Sequence, residues 1–217
     1  MSRIDLLAEG QTEETFVREL LQPHYARMGL FLTPILVSTS PEHKGGVVSY
    51  AKIKPQITRL CKQDAGAHVT TMFDLYALPG DFPGKSDPAR PHQGSGHQKA
   101  AFLEAQLAQN IRQQNFVPNI MVHEYEALLF AQPERFADWT DRKAVDALTA
   151  IRQTHAPEDI NDDPHTAPSK RILAVMPGYQ KTFHGPLLVC EIGLDAMRKD
   201  CPHFDAWLRW LEALIQE

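Results

Sequence analysis

Three short apolar runs, each closing on an acidic residue, constrain the fold of this chain more than any other feature. Ile4, Leu6, Leu7 and Ala8 lead to Glu9; His68-Val69-Thr70-Thr71-Met72-Phe73 leads to Asp74; Val117 to Val122 leads to His123-Glu124. Runs of this length, rich in β-branched and aromatic residues, read as buried strands. After the first, Gly10 permits a sharp bend, and Thr12, Glu14 and Thr15 open a helical pattern. The unit is therefore strand, turn, helix. Open α/β sheets bind ligands at the carboxyl edge of their strands, and Glu9, Asp74 and Glu124 all fall there.

The segments between these runs alternate in the same sense. A helix is expected over 12–28, with Phe16, Leu20 and Leu21 at helical spacing, and a second strand over 31–37, interrupted by Pro34. Residues 48–62 carry Tyr50, Ile53, Ile57, Leu60 and Cys61 on one side, with Pro55 predicting a kink or a late start. Residues 99–113 read as another helix. The order predicts an α/β fold with a mostly parallel central sheet flanked by helices. Residues 80–97 hold seven Gly or Pro among eighteen and read as a long loop or lid over the site. From Gln132 onward the strand pattern disappears. Helices are expected at 142–152, from Ser169, at 187–197 and at 202–216, the last with Phe204, Trp207, Leu208, Leu211 and Leu214 on one face. The expected organisation is a core over 1–131 and a helical extension over 132–217 packed on it.

Composition bounds the function. A net charge of -5 gives no global attraction to nucleic acid, so any such contact must be local or go through bound cations. Cys61, Cys190 and Cys201 lack the close pairing that structural zinc requires. With no apolar leader and no run approaching the roughly 20 residues of a membrane span, a reducing cytoplasm and no membrane partner are expected.

Clustered carboxylates at strand ends repel one another unless a cation neutralises them. All-oxygen ligands suit Mg²⁺ or Mn²⁺, ions that promote phosphoryl displacement. Glu13 lies one helical turn past Glu9 and can return to the same cation; acids in a first helical turn also complement the macrodipole, which suffices for Glu14. Asp74 can equally be a turn-forming Asx residue. If a helix begins at Glu124, then Glu124 and Glu126 diverge; if the strand continues, they share a face. His123 reads first as a packed histidine. Lys44-Gly45-Gly46 offers a phosphate-contacting loop. Lys170 and Arg171 with Tyr179 and Lys181 offer a basic patch for a substrate backbone, or a solvated face.

At these residues the chain resembles known families. Glu9-Gly10-x-Thr12-Glu13 and Phe73-Asp74-Leu75-Tyr76 are similar to the Toprim fold as it occurs in overcoming-lysogenization-defect (OLD) nucleases. More of the chain resembles the Toprim-like DUF4276 family. The matching pieces add Lys44-Gly45-Gly46, Asp81-Phe82-Pro83-Gly84, His123-Glu124-Tyr125-Glu126-Ala127-Leu128-Leu129-Phe130, Pro168-Ser169-Lys170-Arg171, Pro177-Gly178-Tyr179-x-Lys181 and Ile192-Gly193-Leu194. The resemblance implies Glu9 as general acid/base and Asp74 as a metal ligand. It departs at Tyr76, a neutral phenol where Toprim enzymes carry a second aspartate, so Glu13, Asp81, Glu124 or Glu126 must complete the shell. OLD-type relatives recruit the second glutamate of this turn, here Glu13.

The resulting expectation is a Mg²⁺- or Mn²⁺-dependent nuclease acting on DNA or RNA beside a partner ATPase, in bacterial defence. The alternative is a non-catalytic Toprim-like subunit that binds and regulates that ATPase. No P-loop is present, so ATP hydrolysis by this chain alone is not expected. Oligomeric state is left open, a homo-oligomer included.

Overall fold

The computed structural model describes residues 2–40, 43–44, 49–160, 163 and 165–215. β1 (Ser2–Ala8) feeds α1 (Gln11–Phe16), which runs through a π-helical stretch, Val17–Leu21, into α2 (Gln22–Ala26). Next come β2 (Leu30–Leu36), an antiparallel ribbon of β3 (Ser38–Ser40) and β4 (His43–Lys44), α3 (Tyr50–Gln63) and β5 (Ala67–Asp74). α4 (Gly96–Ile111) leads to the short strands β6 (Phe116–Val117) and β7 (Ile120–Met121). Three 3₁₀ segments follow at Tyr125–Ala131, Pro133–Asp138 and Pro157–Asp159. Among them and beyond lie α5 (Arg142–Thr154), α6 (Pro168–Val175), α7 (Lys181–Ile192), α8 (Leu194–Asp200) and α9 (Pro202–Ala213).

The main sheet has the order β2-β1-β5-β6, with β7 also beside β5, and every pairing in it is parallel. The mostly parallel α/β architecture read from the sequence is thus present. In β1, Ile4, Leu6, Leu7 and Ala8 are all fully buried, as expected of a central strand covered on both faces. Pro34 is accommodated because β2 is an edge strand, paired only with β1.

The expected strand 117–122 is split in two. Pro118 has no N–H to give the ladder, and the Thr71 hydroxyl closes the gap by accepting from Asn119 N at 3.0 Å and donating to Asn119 O at 2.8 Å. A break in the sheet is thereby satisfied without water.

Side-chain alternation sorts the core into two layers. Ile4, Leu6, Ala8 and Met72 face Phe16, Val17, Leu128, Ile172, Leu188, Phe204, Leu208 and Leu211. Leu7, Val69 and Phe73 face Ile53 and Ile57 of α3 and Leu103 and Leu107 of α4. The C-terminal helices therefore cover the same sheet face as α1. A hydrogen bond ties α9 to the strand beneath it, from Trp207 Nε1 to Thr70 Oγ1 at 3.1 Å. In the loop, Phe82 is buried against Tyr50, and the Asp81 carboxylate accepts from Tyr50 N, Ala51 N and Ser49 Oγ at the N-terminus of α3.

Two expected helices differ in detail. The first contains the π-helical stretch just ahead of Pro23, where a regular α-turn would press the proline ring on a carbonyl four residues back. The expected helix 187–197 is two helices, divided at Gly193 with φ +79° and ψ 157°, a conformation open essentially to glycine. A Cβ on Gly193 would meet nothing within 4 Å, so the only penalty for a side chain is backbone strain. Gly193→Ala should accordingly lower unfolding free energy by about 1–3 kcal/mol in urea titration, and an unchanged midpoint would show that this junction rearranges freely.

Candidate functional site

The carboxyl ends of β1 and β5 lie side by side, in register from Arg3↔Ala67 to Ala8↔Met72. Their terminal acids consequently meet. Glu9 Oε2 accepts a 2.9 Å hydrogen bond from Asp74 N, and Glu9 N donates to Met72 O. Gly10 does not act as the sequence suggested. Its backbone is extended (φ -148°), open to any residue. Glycine leaves room there for Glu13, since a Cβ would sit 3.1 Å from Glu13 Oε2 and push that carboxylate aside by a few tenths of an ångström. The Glu13 carboxylate folds back over the turn toward the N–H groups of Gly10 and of Glu13 itself, which favour its charged form.

The third contribution arrives through a reoriented chain. His123 adopts φ +65°, unusual for a non-glycine residue, and its carbonyl accepts from Tyr76 N at 2.9 Å. The chain then leaves the sheet as the 3₁₀ segment beginning at Tyr125, so the two neighbouring glutamates part. Glu126, fully buried, enters the cluster. Glu124 accepts from Ser169 N at 3.0 Å in the first turn of α6, and its charge still raises the proton affinity of Glu126. Tyr125 N donates to Asp74 Oδ1 at 2.9 Å.

The fourth contribution comes from α7. Lys181 Nζ lies 3.0 Å from Glu126 Oε2 and 3.3 Å from Asp74 Oδ2, and Tyr179 OH donates to Glu126 Oε1 at 3.5 Å. Sequence reading took both residues as substrate contacts and missed this pairing. Asp74 and Lys181 are 107 positions apart, and no local pattern signals such a contact. Of the remaining expected residues, Lys170 is exposed on α6 and Arg171 Nε donates to Thr166 O. Asp81 is engaged at the N-terminus of α3 and stands apart from this cluster. Gly45, Gly46 and the Lys44 side chain lie outside what the structure describes.

Four carboxylates thus share one ammonium in a desolvated corner, and their proton affinities record the imbalance. Burial first, then repulsion from Asp74, pushes Glu9 up to about 8 and Glu13 up to about 7. Burial also raises Glu126 to about 7, against the pull of Lys181. Burial alone would lower the Lys181 ammonium, but Asp74, Glu126 and Glu13 together hold it above its ordinary value. Burial likewise raises the Tyr125 phenol, whose hydroxyl has no hydrogen-bond partner among the described residues.

The donor set is all oxygen and overcharged, which suits a hard divalent cation. Among the described residues, however, no three acidic, histidine or cysteine side chains are already spaced as ligands of one ion. Lys181 bridges the two that come nearest to it.

An α/β protein with a parallel sheet and a buried acidic cluster at its carboxyl edge is the class these features define. The chain belongs to the DUF4276 family, a domain of unknown function, whose model matches residues 8–212. Two solved structures are similar, both of the C-terminal region of the Xanthomonas campestris pv. campestris OLD protein, one phased with iodine and one with mercury. Each is 14% identical and covers 99% of this chain; the chain covers 96% and 97% of theirs, with TM-scores of 0.41 and 0.40. No curated protein matches the sequence. No helix among the described residues is long and apolar enough to cross a membrane.

The raised carboxyl groups carry a signed consequence for the metal-free chain. Glu9, Glu13 and Glu126 bind protons more tightly folded than unfolded, so the unfolded state holds fewer protons above the ordinary carboxylate range. Stability should fall as pH rises from about 5 to about 8. Urea unfolding in chelator at both ends of that window measures it, and Glu9→Gln should flatten the slope. A rising slope would contradict the desolvated cluster.

Proposed function

We propose that the chain is a Toprim-like, Mg²⁺- or Mn²⁺-dependent nuclease that hydrolyses phosphodiester bonds in DNA or RNA. The observation that carries this reading is the convergence of Glu9, Glu13, Asp74 and Glu126 at one sheet edge around the Lys181 ammonium. Glu13, Asp74 and Glu126 would hold the cation, with Glu9 at its margin. When bound, the ion would supply Lewis acidity toward a phosphoryl oxygen. Glu9, raised to about 8, exchanges a proton near working pH, the property wanted of a general acid/base. The Asp74 N–H bond fixes which oxygen of Glu9 remains free to do so.

The finer placement, as a cytoplasmic effector working with a partner ATPase in bacterial defence, is supported by the motif resemblance at Glu9–Glu13 and Phe73–Tyr76. One observation favours a second reading. Lys181 bridges Asp74 and Glu126, and Tyr76 stands where a second aspartate would ligate. A non-catalytic subunit that regulates a partner ATPase fits that arrangement.

The two readings separate in one experiment. Metal-free protein incubated with supercoiled plasmid, or with tRNA, should cleave only when Mn²⁺ or Mg²⁺ is added. Glu9→Ala and Asp74→Ala should each slow cleavage by about 10²-fold or more. Activity that survives in Glu9→Ala sinks the nuclease reading. A stable ATPase complex whose function tolerates Asp74→Ala, with no cleavage by the wild type, establishes the second.

A further inference from the structure

The role of Lys181 follows from its position as much as from its charge. Its ammonium lies 3.0 Å from Glu126 Oε2, an ion pair on a glutamate with no exposed surface whose Oε2 has no hydrogen bond among the described residues, and it also reaches Asp74 Oδ2. The Lys181 side chain itself remains 40% accessible, in contrast to 7% for Asp74 and 0% for Glu126. It is the first residue of α7, on a flexible four-carbon stem that carries this accessible surface, while its ammonium is held inward among the acids. A guanidinium in this place would fork across both carboxylates; an ammonium makes a point contact that a second cation can replace.

We infer that Lys181 is a displaceable resident cation: in the metal-free chain its ammonium bridges Asp74 and Glu126, and a divalent ion binds there by expelling it toward solvent. This rests on the metal-dependent reading of the cluster. Charge bookkeeping supports it. With the ammonium in place the corner already carries excess negative charge, so a divalent ion gains the same carboxylates without needing new ones, while an ion and an ammonium at one position repel. The gap among the potential ligands is then a property of the metal-free state. Asp74 and Glu126 each contact the ammonium, at 3.3 and 3.0 Å, and Lys181 keeps the buried acids compensated until an ion arrives.

The inference is tested on the full chain, with Mn²⁺ alone as the probe. Mn²⁺ titrated into metal-free protein, with free ion read by electron paramagnetic resonance, should bind at least about tenfold more tightly to Lys181→Met than to wild type. Lys181→Arg, which keeps the charge but grips both carboxylates, should bind more weakly than wild type. Far-UV circular dichroism checks that each variant is folded. The wild type alone supplies a second measurement. Acetylation of Lys181, followed by mass spectrometry, should be slow in chelator and faster by about an order of magnitude when Mg²⁺ saturates the site. Lys181 reactivity that does not change with Mg²⁺, or Mn²⁺ affinity equal in wild type and Lys181→Met, overturns the inference. If wild type also cleaves nucleic acid in that case, the nuclease reading stands and only the displacement falls. If neither wild type nor Lys181→Met binds Mn²⁺, the metal-dependent reading falls and the inference with it.

Discussion

Negative charge held out of water must be compensated, and the grouping of Glu9, Glu13, Asp74 and Glu126 around Lys181 is the constraint on which the rest of this structure turns. Each participant comes from a different element: the ends of β1 and β5, the start of α1, the 3₁₀ segment after β7, and the first residue of α7. None of these can shift alone. Removing one partner would leave the others' charge uncompensated in a largely buried corner, a cost drawn on the small stability reserve of a domain. The helical second half of the chain therefore completes the sheet-edge site instead of merely covering a sheet face. Phe16 and Val17 of the first half and Leu188, Phe204 and Leu211 of the second lie in one continuous core beneath it.

The break in the last strand is what makes this assembly geometrically feasible. Had β6 and β7 run on as one strand through Glu126, that glutamate and Glu124 would share a face. Instead Pro118 interrupts the ladder, Thr71 repairs it, and His123 takes a left-handed conformation that turns the chain out of the sheet. The N-terminus of α4 packs tightly against this turn. A Cβ on Gly96 would lie 2.5 Å from Val122 Cγ1 and 2.8 Å from His123 Nε2. The strained corner is thus held by glycine on one side and by the Tyr76 N–H on the other, and its product is Glu126 beside Asp74.

How much of this was legible in the sequence depends on the range of each interaction. The parallel sheet, its helices and the acids closing β1 and β5 follow from local periodicity, which is why Glu9 and Asp74 could be named as neighbours. The parting of Glu124 from Glu126 could be posed but not decided, because it depends on where a 3₁₀ turn begins. Gly10 was noticed for the wrong reason: the residue serves Glu13's space, not its own backbone freedom. The partnership of Lys181 with Asp74 had no local signature at all. A lysine near a tyrosine and an arginine reads as a basic surface patch, and only the packing of α7 against the sheet edge shows it turned inward.

The same packing explains why counting acids could not locate the site. Several acids, some of them singled out by spacing, are held at helix N-termini, where backbone N–H groups bind them. Asp81 accepts from the first turn of α3, Asp141 from Ala144 N in α5, Glu124 from Ser169 N in α6, and Glu158 from His203 N and Phe204 N in α9. Glu13 has the same local geometry, folded back on the start of α1, yet burial and the charge of Asp74 still raise its proton affinity. An acid at a helix start can thus be held by backbone N–H groups and still face other buried carboxylates. Glu124 is in a similar position: Ser169 N binds it while its charge still raises the proton affinity of Glu126, so what the remainder of the fold places opposite an acid decides its role.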